Sequence, residues 1–252
     1  MVYTNPRPTE SSIGAFYPSS YPPYQPASFK REKTSKSLSD RIPLRMGGTL
    51  LDYGCGSGKF AARMHNRGWN AIGMDFSEHA VAAARRYFNL TAFGGTLPHS
   101  TIAPESLNAF TLRAVLEHVH DPRSLLASAF QALAPGGWLY ISVPNIASWG
   151  YRKFGGSWYG LDVPRHLLHF SADTLRKAVV DRGFTVEAIE TVGHTKWLGI
   201  AAQGRPHLMS GLCGIRLVRS AVTRWTEWTG QADDLALLAR KSDSARPPRS
   251  AA

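Results

Sequence analysis

The segment LLDYGCGSGKF, residues 50–60, constrains the fold more than any other part of the sequence. Three glycines, Gly54, Gly56 and Gly58, follow a short apolar run at alternate positions, and Asp52 stands just before them. An open parallel sheet binds its ligand at the carboxyl ends of its strands, and in the first strand-to-helix turn the backbone must approach that ligand closely. The segment therefore predicts a strand, a ligand-binding turn and a helix.

From Thr49 onward the sequence alternates short apolar runs with helical patterns, which predicts an α/β fold. Such alternation implies right-handed strand-helix-strand units and a parallel sheet with helices on both faces. Helix starts are marked by Asp121 with Pro122, and by Ser171 with a capping acid nearby at Asp173. The predicted strands are TLLDY, AIGMD, AFTLRAV, WLYISV, TVEAIETVG and, at residues 234–240, DLALLAR.

The length of 252 residues and the 43% hydrophobic content suit one α/β domain with additions at its ends. Cys55 and Cys213 are far apart and lack CxxC spacing, so we expect neither a disulfide framework nor a cysteine-bound zinc ion. The sequence shows no secretory signal pattern and no window near the roughly 18 apolar residues of a membrane span. We therefore expect a cytoplasmic protein.

The formal net charge of +11 allows attraction to nucleic acid, to anionic lipid or to an acidic substrate. Much of this charge lies in the basic stretches at 29–36 and 239–249. In a helical insert, GIRLVRSAVTRW places its apolar residues on one face, so the insert either packs on the domain or makes weak contact with a membrane surface. The expected parts are an N-terminal arm rich in Pro and Tyr (1–40), the main domain (41–240) with its insert (about 197–230), and a basic disordered tail (241–252).

Three classes of ligand compete for the glycine loop. A phosphate-binding P-loop needs a longer spacing and a hydroxyl residue after the lysine, and Lys59 meets neither condition. A dinucleotide fingerprint fits the GxGxxA pattern that starts at Gly56, with Asp75 as the acid that binds the ribose. The third class is a cationic ligand without phosphate, because the carboxylate of Asp52 would repel a pyrophosphate and attract a positive charge.

Several motifs in one order resemble the class I S-adenosylmethionine-dependent methyltransferases, in particular the bacterial small-molecule group related to the ubiquinone-pathway O-methyltransferases. The glycine segment is similar to the first motif of that family, and AIGMDFS to its second, with Asp75 in the place of the acid that holds both ribose hydroxyls. The resemblance runs from about Tyr17 to Arg240. Its other pieces are GGTLP at 94–98, LRAVLEHVHDP at 112–122, LAPGGWLYISVPN at 133–145 and GLDVPRHLLHFS at 160–171.

The resemblance implies a Rossmann-like open sheet of seven mostly parallel strands, with the last strand antiparallel and helices on both faces. It also implies S-adenosyl-L-methionine as the cofactor. Asn108 departs from the family pattern because it stands near an expected acid, and the segment beside the adenine lacks an acid often seen there. The cofactor-binding residues that the resemblance implies are Asp52, Gly54, Cys55, Gly56, Gly58, Asp75, Phe76, Thr96, Leu97 and Glu117.

Methyl transfer from a sulfonium is an in-line displacement, in which the enzyme mainly holds the nucleophile at attack distance with water excluded. A hydroxyl acceptor benefits from a base, for which histidine is the ordinary candidate, so His166 and His118 are the candidate catalytic residues. Each of them suits a structural role equally well. Arg165 is expected to anchor a carboxylate or phosphate of the acceptor, with His169 also facing the substrate. We expect no metal, because His166 and His169 have no third ligand at a fixed spacing.

Aromatic residues before and within the domain are candidates for the acceptor site. The family resemblance suggests that the N-terminal arm folds over the active site as a lid, carrying Tyr17, Tyr21 and Tyr24. Closure of that kind would exclude water. Trp158 and Tyr159, in the segment SWYG, are expected to form a wall of the acceptor site or to be buried as core.

These patterns favour a methyltransferase that acts on a small molecule, with a hydroxyl oxygen as the preferred acceptor. Enzymes that methylate exocyclic base amines typically carry Asn or Asp, then Pro-Pro and an aromatic residue, after the fourth strand, where this chain has LEHV. Nucleic acid is therefore not the expected partner. Three alternatives remain open: an RNA-modifying methyltransferase, an NAD-dependent oxidoreductase, and a non-catalytic subunit that binds S-adenosylmethionine.

Overall fold

The structure is a computed structural model that describes residues 2–25, 38–43, 47–201 and 215–242. The basic stretch at 29–36, Cys213 and most of the predicted tail, from 243 onward, lie outside the described residues. The same holds for the middle of the predicted insert, at 202–214.

A seven-stranded mixed sheet forms the centre of the molecule, in the order β4-β3-β2-β5-β6-β9-β8. Neighbouring strands are parallel except at β9, which runs antiparallel to both β6 and β8. This confirms the predicted seven strands and the antiparallel last strand. The strands are β1 (Val2–Tyr3), β2 (Thr49–Tyr53), β3 (Asn70–Asp75), β4 (Thr91–Gly94), β5 (Leu107–Arg113), β6 (Leu133–Pro144), β7 (Leu168–His169), β8 (Phe184–Val192) and β9 (Asp234–Lys241).

Helices cover both faces of this sheet, and the sequence of β2 shows why. Successive side chains of a strand point to opposite faces, so the neighbouring residues Leu50 and Leu51 are both fully buried but belong to different apolar clusters. The Leu50 cluster includes residues of α1 and α2, and the Leu51 cluster includes residues of α3 and α5. The helices are α1 (Lys59–Asn66), α2 (Glu78–Phe88), α3 (Pro122–Ala132), α4 (Trp149–Phe154), α5 (Ala172–Val180), α6 (Thr195–Ala201) and α7 (Arg216–Trp228).

Side-chain caps fix the starts of two helices. Asp121 accepts hydrogen bonds from the backbone N–H groups of Arg123 and Ser124 at 2.9 and 3.1 Å, with Pro122 as the first residue of α3. Ser171 caps α5 as predicted, but its reciprocal partner is Thr174 rather than the acid at Asp173. The hydroxyl of Thr174 accepts the Ser171 N–H at 2.9 Å, which closes the capping box.

The N-terminal arm packs on the domain although its composition is too poor in aliphatic residues for a core of its own. Val2 and Tyr3 form β1, which pairs antiparallel with β7. Tyr24 is buried, and Ile13 packs against the Leu51 cluster. The arm is therefore held by apolar surface that the main domain supplies. Within the described ranges no helix combines the length and the apolar character needed to cross a membrane.

Candidate active site

A cavity of about 510 Å³ opens at the edge of the sheet where β2, β3, β5 and β6 end and β9 begins. Open α/β sheets bind ligands at this edge. The arm forms the opposite wall, through residues from Glu10 to Tyr24. Ligand-facing groups from the glycine loop, the end of β3, the segment after β5 and the arm therefore meet in one space.

The glycine loop is fastened to the end of β3 by its own backbone. The N–H groups of Gly54 and Cys55 donate to the carbonyl oxygen of Met74 at 2.7 and 3.0 Å, and the N–H of Gly56 donates to Oδ2 of Asp75 at 2.9 Å. Gly54 and Gly56 have φ angles of +72° and +53°, in the left-handed region that glycine adopts without strain. The loop thus brings bare backbone to the cavity.

Asp75 lies at the carboxyl end of β3 and is held in a fixed orientation. Its Oδ1 accepts the Ser77 N–H at 2.9 Å, and its Oδ2 accepts the Gly56 N–H. Burial raises the pKa of this carboxyl, and the two backbone hydrogen bonds offset part of that rise. Each carboxylate oxygen can accept more than one hydrogen bond. Asp75 can therefore also accept hydrogen bonds from two neighbouring hydroxyls of a ligand.

Asp52 does not line the cavity. It is buried beneath the loop, where its Oδ1 accepts a hydrogen bond from the hydroxyl of Thr111 at 2.7 Å. Burial raises the pKa of Asp52 to about 6, although the charge of Arg113 and the Thr111 hydrogen bond act in the opposite direction. Asp52 thus organises the strand end from below, and any attraction to a cationic ligand would act through the loop.

The predicted cofactor residues divide into two groups by position. Those at the cavity wall are Gly54, Gly56, Asp75, Phe76, Thr96 and Glu117. Those behind the wall are Asp52, Cys55, Gly58 and Leu97. Asn108, at the departure from the family pattern, accepts the Thr49 N–H through Oδ1 at 3.0 Å and so supports the start of β2.

Glu117, His118 and His166 form a compact group on the cavity wall. One donor atom from each lies within 4.8 Å of the others, and Oε1 of Glu117 is 3.9 Å from Nε2 of His166. The group is built by backbone pairing between two distant segments, because the carbonyl oxygen of Glu117 accepts the N–H groups of Leu167 and Leu168 at 2.8 and 3.1 Å. The sequence-predicted catalytic histidines are thereby brought together.

Hydrogen bonds to carbonyl oxygens define the tautomers of the two imidazoles. Nδ1 of His166 donates to the carbonyl of Gly160 at 2.9 Å, and Nδ1 of His118 donates to the carbonyl of Arg165 at 3.0 Å. A carbonyl oxygen only accepts, so both contacts require hydrogen on Nδ1, and the Tyr17 hydroxyl oxygen, 2.8 Å from Nδ1 of His118, then accepts from the same N–H. In this tautomer the lone pair of each imidazole is on Nε2. Burial lowers the pKa of His118 to about 4 and that of His166 to about 3.

Glu117 has an unusual environment. The residue is 1% exposed, and neither carboxylate oxygen has a hydrogen-bond partner among the described residues. Burial raises the pKa of this carboxyl well above its ordinary value. A buried carboxyl without partners is costly, and within the described ranges no hydrogen bond to either oxygen offsets this cost.

Arg165 is engaged within the protein rather than presented to the cavity. Its guanidinium forms a two-pronged ion pair with Asp162, whose Oδ2 accepts from Nε at 2.8 Å, and it lies 5.4 Å from the ring centre of Tyr21. His169, also predicted to face the substrate, lies outside the cavity wall with Nε2 3.1 Å from the hydroxyl of Thr4.

The predicted aromatic wall is split in the same way. Tyr159 lines the cavity, whereas Trp158 is buried behind it and donates its indole N–H to Asp233 at 3.0 Å. From the arm, all three predicted tyrosines line the cavity. Their rings meet edge to face, with centres 5.2 Å apart for Tyr17 and Tyr21 and 5.1 Å apart for Tyr21 and Tyr24.

Among the wall residues that sequence reasoning missed are Trp197 and Asp234. Asp234 is bound through Oδ2 to Nε2 of His194 at 2.7 Å, and the ring of His194 stacks on that of Trp197 with centres 4.5 Å apart. Burial lowers the pKa of His194, but the hydrogen bond and charge of Asp234 more than offset this and raise it overall. The direction of β9 was the available signal, because an antiparallel strand starts at the edge where the parallel strands end.

Comparisons with known proteins bear on the family and the fold of this chain. The family model for a methyltransferase domain matches residues 27–189. A ubiquinone biosynthesis O-methyltransferase from Thiobacillus denitrificans is 34% identical over 116 residues, which cover 43% of this chain and 49% of that protein. A second such enzyme, from Pseudomonas fluorescens, is 31% identical over 133 residues, 46% of this chain and 56% of that protein. The chain thus matches about half the length of these curated relatives.

Solved structures show the same fold at low sequence identity. The geranyl diphosphate C-methyltransferase from Streptomyces coelicolor A3(2) is 17% identical to this chain, with a TM-score of 0.58. The match covers 81% of this chain and 78% of that enzyme. The cyclase SpnF is 20% identical, with 94% and 97% coverage and a TM-score of 0.63. Since these two proteins are named for different reactions, the likeness shows the fold alone.

Proposed function

Because the chain belongs to the methyltransferase-domain family, we propose that it transfers a methyl group from S-adenosyl-L-methionine to a hydroxyl oxygen of a small molecule. The observation that carries this proposal is that Asp75 and the glycine loop line the same cavity as Glu117, His118 and His166. A donor held at the first group and an acceptor held at the second would meet within one enclosed space. Positioning of this kind is the main contribution that a methyl transfer requires of its enzyme.

The residues at the end of β3 fit the methyl donor. When bound, S-adenosyl-L-methionine supplies an electrophilic methyl group on a sulfonium, together with a ribose diol and an adenine. The carboxylate of Asp75 suits the two ribose hydroxyls, while Gly54 and Gly56 allow the backbone to lie against the ligand. Phe76, which is 54% exposed, and Thr96 line the same cavity, and in this proposal they contact the adenine.

The acceptor side supplies a route for the proton. In the proposed step the acceptor oxygen bonds to the methyl carbon, the bond from that carbon to sulfur breaks, and sulfur keeps the electron pair. The hydroxyl proton passes to a lone pair on Nε2 of His166 or His118. Since burial lowers the pKa of both imidazoles, they are weak bases for this task.

The walls of the cavity favour a small acceptor over a nucleic acid. The cavity wall carries several carboxylates, among them those of Glu10, Asp121 and Asp234. Among the described wall residues, Arg113 is the one lysine or arginine. The arm lies across the cavity, with the Ser57 N–H donating to the carbonyl of Pro23 at 2.9 Å. An anionic polymer would meet repulsion in this space and would have to displace the arm.

We also propose weak contact of α7 with a membrane surface. Leu217 and Trp228 are 81% and 85% exposed. They are eleven residues apart, so they lie on one side of the helix, close to Arg224. An exposed tryptophan and leucine beside a basic residue suit the boundary of an anionic bilayer.

Calorimetric titration tests the proposed function. The purified full chain is titrated with S-adenosylmethionine, S-adenosylhomocysteine and NAD, and the series is repeated with Asp75→Asn and Asp75→Ala. We expect binding of the two sulfur nucleosides that weakens at least tenfold in both variants, and no such loss in the control Asp173→Ala, an exposed carboxylate on α5. Binding of NAD instead, or of none of the three, would overturn the proposal.

A further inference from the structure

We infer that Glu117, His118 and His166 form a binding site for a divalent transition-metal ion that opens onto the acceptor side of the cavity. Among the residues that the structure describes, these three are the one group of histidine, cysteine or carboxylate side chains assembled closely enough to hold a metal ion. The inference goes beyond the sequence, from which no metal was expected.

The donor atoms have the right chemistry and the right orientation. Both Nδ1 atoms are committed to carbonyl oxygens, so both Nε2 lone pairs are free to coordinate, as the neutral imidazoles of metal sites require. The carbonyls of Gly160 and Arg165 then act as the partners that commonly orient metal-bound histidines. A general base requires only one imidazole with a free Nε2 lone pair, whereas here both imidazoles are oriented in this way.

Glu117 provides the independent observation. Its two oxygens lack partners among the described residues, and the residue is almost completely buried within 3.9 Å of the Nε2 atom of His166. A metal ion would satisfy this carboxylate and compensate the cost of burying its charge. Ligands about 2.1 Å from a tetrahedral ion stand roughly 3.4 Å apart, so donor atoms that lie within 4.8 Å of one another need to approach by up to about 1.4 Å.

The ligand set favours one class of ion. Imidazole nitrogen is a good ligand for ions such as Zn²⁺ and Fe²⁺, whereas Mg²⁺, Ca²⁺ and Mn²⁺ favour oxygen ligands. Two histidines and one carboxylate leave coordination positions open, and the cluster lines the cavity, so those positions face the acceptor.

The inference deepens the proposed function and rests on it for the identity of the open-site ligand. The ion would bind the acceptor oxygen and make its hydroxyl more acidic. His118 and His166 would then serve as ligands rather than as bases, and the proton released from the acidified hydroxyl would pass to bulk water.

Metal binding is tested with the full chain and the metal alone. Protein stripped with a chelator is titrated with Zn²⁺ by calorimetry and with Co²⁺ by visible absorption, whose ligand-field bands report nitrogen and oxygen ligation. We expect one equivalent of each ion. Because loss of an orienting partner alone costs 10–100-fold in metal affinity, Glu117→Gln and His166→Gln should each weaken binding by at least about 100-fold. His120→Gln, on the same cavity wall but outside the cluster, should bind like the unaltered chain.

The outcomes separate this inference from the proposed function. The affinity of the unaltered chain and of Glu117→Gln for S-adenosylmethionine is measured without metal, and circular dichroism with thermal unfolding shows independently that Glu117→Gln and His166→Gln are folded. Absence of stoichiometric metal binding, or binding that Glu117→Gln leaves unchanged, overturns the metal site whatever the nucleoside affinity. If Glu117→Gln instead loses its S-adenosylmethionine affinity and the unaltered chain binds no metal, Glu117 contacts the methyl donor.

Discussion

The phenolic oxygen of Tyr17 lies 2.8 Å from Nδ1 of His118, so the N-terminal arm makes a polar contact with the cluster that follows β5. The two residues are 101 positions apart, and their rings also meet edge to face at 5.9 Å. Opening of the arm and exposure of the acceptor side are therefore coupled through this pair.

We expect Tyr17→Phe to loosen the arm while keeping its ring contacts. Loss of one hydrogen bond costs about 1 kcal/mol, or roughly a fivefold change in the opening equilibrium. Hydrogen exchange of residues 13–24 should accelerate by about that factor. Tyr3→Phe, which alters an exposed ring in β1, serves as the control. Equal exchange in the two variants would show that the Tyr17 hydroxyl does not hold the arm closed.

Gly56→Ala should displace the arm from the glycine loop. An added Cβ would lie 2.7 Å from the carbonyl oxygen of Pro23, and the φ of +53° is costly for alanine. Gly47→Ala is the matched control, because its φ of +70° carries a similar backbone cost but its Cβ would meet nothing within 4 Å. A left-handed alanine costs about 1–2 kcal/mol.

Chemical denaturation and calorimetry distinguish these two glycine variants. In Gly47→Ala the free energy of unfolding should fall only by the cost of the left-handed backbone conformation. Gly56→Ala should lose at least about 1 kcal/mol more, since a carbonyl must move, and should bind S-adenosylmethionine at least tenfold more weakly. If both variants lose the same stability and keep their affinity for S-adenosylmethionine, the carbonyl of Pro23 does not pack closely against Gly56.

Asp52→Asn should stabilise the protein above pH 6 and leave it unchanged near pH 4. Burial raises the pKa of Asp52 from 3.8 to about 6, so the folded state binds a proton more tightly than the unfolded state between these values. The unaltered chain therefore loses stability as the pH rises through this window. Asparagine keeps the hydrogen bond from Thr111 and has no charge to bury.

The measurement is the difference in the free energy of unfolding between Asp52→Asn and the unaltered chain at several pH values. It should grow from near zero at pH 4 to roughly 3 kcal/mol at pH 8, because a tenfold change in proton affinity corresponds to about 1.4 kcal/mol. A difference that stays constant across this range would mean that Asp52 ionises as it does in the unfolded chain.

Leu217→Ser combined with Trp228→Ser should abolish binding of the protein to anionic vesicles. Both side chains project from α7, where apolar burial and nearby basic charge would act together. We expect at least a fivefold fall in the fraction that co-sediments with phosphatidylserine-containing vesicles. The control Val180→Ser changes an exposed apolar residue on α5. If the unaltered chain does not co-sediment at low salt, the membrane contact is disproved.

The sequence predicted the elements whose signals are local. The glycine loop, the caps at Asp121 and Ser171, and the acid at the end of β3 follow from a few neighbouring residues, and each was placed correctly. The antiparallel last strand was expected from the family resemblance and is confirmed by the pairing of β9 with β6 and β8.

Contacts between distant segments were not predictable in the same way. His118 and His166 were each proposed singly, but their meeting depends on backbone pairing of Glu117 with Leu167 and Leu168, which no local pattern announces. The partner of Arg165 is Asp162, three residues before it, yet the ion pair forms only because the turn folds back on itself. The burial of Tyr24 likewise depends on surface that the main domain provides.

Because β9 runs antiparallel to its neighbours, its two ends have different roles: the first residue lines the cavity and the last residue anchors the fold. Its first residue, Asp234, enters the cavity, while its last, Lys241, is buried at the far edge and donates to the carbonyl of Leu133 at 2.7 Å. Between them, paired residues hold the strand in register. Evolutionary change at the beginning of β9 can therefore alter which molecules are accepted, while the anchor at its end is preserved, so that selectivity can diverge without loss of folding.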